Sequence, residues 1–192
     1  PPLDEIPDEV RGGHFVGGLR SASEAIIETF ELERTSSLPM AWGLLSDDAL
    51  RDLLSLRSTY MAAAYGGRDI AQRYASGVLA KLLEHRLPPA TVLLGHDLNV
   101  VAIASLLGIE WRCGTFAAGS PSPLAGFLFT LTGRAVHVRA VCPGLEDSSP
   151  VAVGAASFAG GGSEMPASRF SALARSAIEW RCVEGGQPGP RP

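Results

Sequence analysis

At Pro88-Pro89 the hydrophobic pattern of this chain changes period, and that change limits the fold more than any other feature. Ahead of the prolines the apolar residues recur at helical spacing. A first helix is predicted from about Ser21 or Ser23 to Arg34, with Glu24 completing a capping box on Ser21 and Ile26, Ile27, Phe30 and Leu32 as its stripe. A second opens at Ser46-Asp47-Asp48, carries Leu50, Leu53, Leu54 and Met61, and stops at Gly66-Gly67. A third runs from about Asp69 to Arg86, with Ile70, Tyr74, Val78, Leu79, Leu82 and Leu83 on its apolar side.

Behind the prolines, Thr91-Val92-Leu93-Leu94-Gly95 is a short, partly β-branched apolar run that reads as a buried strand. It ends in His96-Asp97, and Leu98 to Leu107 follows as an apolar helix closed by Gly108. Gly126–Leu131 and Ala135–Val141 flank Thr132-Gly133-Arg134, which predicts a β-hairpin. The Gly/Ser-rich stretch Gly154–Ser163 reads as a linker to a last helix near Ala167–Trp180, and Glu184–Pro192 as a disordered tail. Residues 1–19, rich in Pro, Gly and acids, read as loop. The order of elements is α/β or α+β, not an all-helical bundle, with no internal repeat.

Length and composition permit one domain: 192 residues, 46% hydrophobic. A net charge of −4 with only 16 Lys and Arg leaves no basic footprint for nucleic acid. No apolar run approaches the roughly 18 residues that span a membrane. The chain starts Pro1-Pro2-Leu3, without Met or a leader-like segment, so the expectation is a processed chain or a fragment. Cys113, Cys142 and Cys182 form no C-x-x-C pair, which argues against a metal site. Buried free thiols and a disulfide to a missing segment both remain open. His85 and His137 read as surface and strand positions with no partner set for a metal, and no cofactor motif is present.

The chemistry concentrates in Gly95-His96-Asp97-Leu98-Asn99. A strand delivers His96 and Asp97 to its C-terminal edge, where a helix begins. Free N–H groups and the positive end of the helix dipole suit a phosphate there. The plain structural alternative makes Asp97 a helix N-cap and His96 a packed side chain. The tract, the helix after it with Trp111, the Gly119-Ser120-Pro121-Ser122-Pro123 turn, Phe127-Leu128-Phe129 and the upstream Leu53–Arg57 and Arg68–Arg73 segments together resemble the histidine acid phosphatases, in the bacterial phytase and glucose-1-phosphatase branch. The likeness runs over about residues 20 to 182.

That resemblance implies a histidine phosphatase-like fold: a partial sheet flanked by helices, with a helical portion (about 20–86) before a strand–helix–hairpin portion (about 90–182) and a tail from 183 to 192. It implies a hydrolase of phosphate monoesters without a cofactor. Asp97 would be the general acid that protonates the leaving alcohol, His96 would bind phosphoryl oxygens, and Asn99 would contribute to substrate binding. It also implies that the chain corresponds to the C-terminal half of such an enzyme, a periplasmic or secreted setting, and a bridge from Cys182 to the N-terminal half.

The sequence departs from the family in its nucleophile. The Arg-His-Gly-x-Arg-x-Pro motif that supplies a phosphohistidine is absent, and Arg11-Gly12-Gly13-His14 has the wrong order and spacing. His14 therefore reads as glycine-loop filler rather than a replacement. Gly126-Phe127 stands where relatives often have Gly-Glu, and some family cysteines are replaced within Ser157–Ala167. Two other readings compete. One is an α/β-hydrolase with Asp97 as nucleophile, although Asn99 is too large for the small residue that such an elbow needs. The other is a non-catalytic remnant that binds an anion or a partner.

Overall fold

The computed structural model describes residues 9–11, 14–16, 18–84, 88–113, 118–143 and 151–183. The expected tail, His85 and the side chain of His14 lie outside what it describes. Two short strands, β1 (Glu9–Arg11) and β2 (His14–Val16), pair antiparallel where a loop was expected. Arg11 faces His14 in that register.

The first helix starts earlier than its serines suggest. It runs through α1 (Leu19–Ser21), a π segment (Ala22–Ile27) and α2 (Glu28–Thr35). Ser21 is buried and caps nothing. Glu24 instead accepts hydrogen bonds from the Tyr60 and Tyr65 hydroxyls at 3.0 and 3.1 Å and from Arg20 at 3.0 Å. The capping-box spacing was real, but tertiary partners claim its carboxylate.

α3 (Asp47–Tyr65) follows its sequence signals. Ser46 Oγ accepts from the Ala49 N–H at 3.2 Å, and the helix ends at Gly66. Leu50, Leu54, Arg57 and Met61 are buried at spacings of four, three and four residues, which is one helical face. α4 (Arg68–Leu82) buries Ala71, Ala75, Ser76 and Leu79. Its inner face is thus one of small residues, and Ile70 and Tyr74, expected inside, are partly exposed. Alanines let α4 lie close to α5 (Asp97–Leu107), where Ala102 is also fully buried. Gly108, at φ +61°, closes α5 in the left-handed conformation that favours glycine.

The sheet is antiparallel in the order β3 (Ile109–Arg112), β6 (Val151–Phe158), β5 (Ala135–Pro143), β4 (Gly126–Thr132). A short β7 (Glu164–Pro166) also pairs with β5. The expected hairpin is present: Thr132 faces Ala135, leaving Gly133 and Arg134 as a two-residue turn with Gly133 at φ +63°. The Gly/Ser-rich linker is corrected, because much of it is β6. Its small residues have a packing reason. A Cβ on Gly154 would run into the Arg112 carbonyl oxygen and lie 3.1 Å from Cys142 Sγ. Cys142 is there because it is bonded to Cys113, which joins the end of β3 to β5. Free thiols at these two positions are therefore ruled out, and Cys182 is free and exposed. α6 (Ala167–Ala177) and a 3-10 turn (Trp180–Cys182) complete the main core, which α4, α5, α6 and the sheet share. Ile27, Met40, Leu50 and Leu54 make a second, smaller core. No helix among the described residues is long and apolar enough to cross a membrane.

One expectation about the strand fails. Thr91–Gly95 joins no sheet among the described residues, and Val92 and Leu94 are 83% and 94% exposed. Its β-branched, apolar composition favours pairing, but among the described residues β4, at the edge of the sheet, pairs only with β5.

Candidate active site

His96 and Asp97 stand together at the start of α5, as the sequence implies, with the N-cap one residue earlier than expected. His96 is the N-cap, with extended φ/ψ of −92° and 165°, and Asp97 is the first helical residue. The cap is completed from Asn99, whose Oδ1 accepts the His96 N–H at 2.8 Å while its Nδ2 donates to the Tyr74 carbonyl at 2.6 Å. Asn99 therefore fixes the turn and ties α5 to α4. The same contact explains Gly95, since a Cβ there would lie 2.7 Å from Asn99 Oδ1.

With Asn99 holding the turn, the side chains of the pair are free for other work. His96 is exposed. It lines a groove with Leu93, Leu94, Asn99, Phe127 and Phe129, so the groove lies between the unpaired segment, α5 and β4. Phe127 stacks edge-on against Trp111 with centroids 5.5 Å apart. That makes it a packing residue.

Asp97 points the other way, into a charged cluster. Its Oδ1 accepts the Leu98 N–H, and its Oδ2 accepts from Arg57 Nη2, both at 2.8 Å. Arg57 comes from α3 and is only 2% exposed, against 27% for Asp97. Glu28 lies 3.3 Å from the same Nη2, and Glu31 lies 3.9 Å from Arg57 Nε. Burial pushes the Glu31 carboxyl up to about 8; Arg57 opposes this, and Glu28 and Asp97 reinforce it. Sequence reading missed this cluster. Arg57 was visible as an arginine on the inward stripe of α3 with Leu50, Leu54 and Met61, and such a charge needs a partner. No group of three or more His, Cys, Asp or Glu among the described residues is placed to hold a metal ion.

A phytase from Hafnia alvei, solved with myo-inositol hexakis sulphate, superposes with a TM-score of 0.70 at 21% identity, covering 94% of this chain and 54% of that one. A phytase from Klebsiella sp. ASR1 matches with a TM-score of 0.72 at 17% identity, over 95% and 54%. One from Citrobacter braakii gives 0.71 at 20%, over 94% and 56%. No family model matches the sequence. No curated protein is similar to it. The chain spans about half the length of the solved phytases it matches. The architecture found here, an antiparallel sheet flanked by helices, is not an α/β-hydrolase sheet. The chain has the histidine phosphatase-like fold of the bacterial phytases.

Proposed function

We infer that this chain supplies the general-acid side of a phosphate monoesterase whose nucleophile lies elsewhere. The observation that carries this reading is Asp97, on the first turn of α5, with its carboxyl oriented by Arg57 and the exposed His96 beside it. The phytase fold supports it. In the complete enzyme the carboxylic acid proton of Asp97 passes to the ester oxygen as the P–O bond breaks, so that an alcohol departs rather than an alkoxide. The phosphoryl group goes to a nucleophile from the remaining part of the fold. His96 donates to phosphoryl oxygens at the start of α5, where the positive end of the helix dipole favours an anion. Asn99 contributes by holding this turn.

The open face fits the same reading. Thr91–Gly95 has the composition of a strand and an unpaired backbone, and strands from the rest of the parent would complete it. The Cys113–Cys142 bridge suits a periplasmic or secreted setting, where disulfides persist. A non-catalytic, anion-binding remnant is the second reading, favoured by the missing Arg-His-Gly motif.

The test compares esters in the full-length parent. Asp97→Asn should slow alkyl phosphate hydrolysis by about 10²–10⁴-fold, and p-nitrophenyl phosphate far less, because nitrophenolate leaves without a proton. Equal losses on both would sink the general-acid role. His96→Ala should weaken vanadate binding, and unchanged affinity would return His96 to a capping role.

A further inference from the structure

Arg57 projects from the middle of α3 into a space closed by α2 and α5. Burying a guanidinium is unfavourable unless carboxylates face it. Its Nη2 reaches two, Asp97 Oδ2 at 2.8 Å and Glu28 Oε2 at 3.3 Å. Glu31 Oε2, at 3.9 Å from Nε, is beyond hydrogen-bond range. Nε, Nη1 and both Glu31 carboxyl oxygens are buried without a hydrogen-bond partner among the described residues. The titratable groups around Asp97 are thus Arg57 of α3, Glu28 and Glu31 of α2, and its chain neighbour His96. The π segment Ala22–Ile27 ends at Glu28, and π turns of this kind re-phase a helix and cluster at functional sites.

We propose that Arg57 and Glu28 are a positioning pair for Asp97: Arg57 fixes the direction of the Asp97 carboxyl, and Glu28 becomes the sole counter-ion of the same Nη2 whenever Asp97 carries a proton. The proposal rests on the general-acid reading of Asp97. Its logic is charge balance in a closed space. An acid that gives up and regains a proton in every turnover must be tolerated in both forms. Glu31 is held neutral by burial below about pH 8 and lies 3.9 Å from Nε, so it does not serve as the counter-ion. Glu28, at 3.3 Å from Nη2, is the other carboxylate within reach. Without it, protonating Asp97 would leave a buried guanidinium with no ionised partner. Without Arg57, an ionised Asp97 would face Glu28 across a gap with nothing between them. During the step, the proton leaves Asp97 for the ester oxygen and returns from water, while Arg57 only shifts its hydrogen bond between two carboxylates.

The pair can be tested on the 192-residue chain itself, by carboxyl 13C NMR titration of Asp97. Glu28→Gln removes a negative neighbour and should lower the Asp97 midpoint by about one pH unit; Arg57→Gln should raise it by about as much, and Arg57→Lys should bring it partway back. Glu28 is 40% exposed, so its variant should fold even if Arg57→Gln does not, and the Glu28→Gln result then decides alone. An Asp97 midpoint unchanged by Glu28→Gln overturns the proposal. That failure would leave the leaving-group comparison of Asp97→Asn standing. A failed leaving-group comparison would sink the catalytic reading and leave the charge coupling measurable.

Discussion

Val138, Ala140 and Ala156 on the sheet are closed under α4, α5 and α6, whereas Val92 and Leu94, a few residues ahead of His96, project into solvent. Both stretches have strand-like composition. Val138 and Ala140 in β5 find a ladder within the chain, and Thr91–Gly95 does not. An apolar, β-branched run thus favours pairing without specifying the strand it pairs with. The sheet half closes its own core, and the segment leading to His96 and Asp97 leaves its apolar side chains in solvent.

The sharpest way to break this contrast is to shave one residue from each side. Leu79→Ala, at a site with no exposure, should cost about 2–5 kcal/mol in urea unfolding. Leu94→Ala should change stability by less than about 0.5 kcal/mol. Comparable losses at both would mean that the edge is packed in solution. Next in size is the disulfide. Cys113→Ser with Cys142→Ser opens a loop with a sequence separation of 29 and should lower stability by about 2–4 kcal/mol. Unfolding with and without reductant checks it.

Glu31 sharpens the comparison from inside the charged cluster. Its carboxyl is pushed from the ordinary 4.5 up to about 8 by burial. Below about pH 4.5 it is protonated in both folded and unfolded chains, so stability does not depend on it. Between the two values the unfolded chain releases the proton and the folded chain keeps it, so each rise in pH favours unfolding. Glu31→Gln should match the parent chain near pH 4 and exceed it by about 1–3 kcal/mol near pH 8.5, by thermal unfolding across pH. Parallel curves would show that Glu31 is not held neutral. The smallest effect on stability is expected for Val92→Thr with Leu94→Thr, close to zero. Their signature is association: an exposed apolar strand promotes it, and the double variant should elute later on size-exclusion chromatography.

Much of this architecture could be read directly. Ser46 and Gly66 bound α3, Gly108 closes α5, and the Gly133 turn sets the β4–β5 hairpin, because each signal acts within a few residues. β6 was hidden, since its glycine and alanines answer to crowding by Arg112 and Cys142 from distant elements. α4 buries alanines rather than its larger apolar residues for the same kind of reason: the approach of α5 decides which face is inside. At the site, His96 and Asp97 were legible as a pair. That the cap falls on His96 rather than Asp97 depends on Asn99 reaching back to the His96 N–H, and Arg57 lies 40 residues from Asp97 in sequence. No local pattern announces a contact of that separation.

If this chain carries the acid of a phosphatase site without its nucleophile, the purified 192-residue chain should not turn over p-nitrophenyl phosphate at acidic pH. In a steady-state assay its rate should not exceed that of the Asp97→Asn chain, because phosphoryl transfer needs the cationic cage and nucleophile that the sequence lacks. Robust turnover that survives His14→Ala would contradict this assignment.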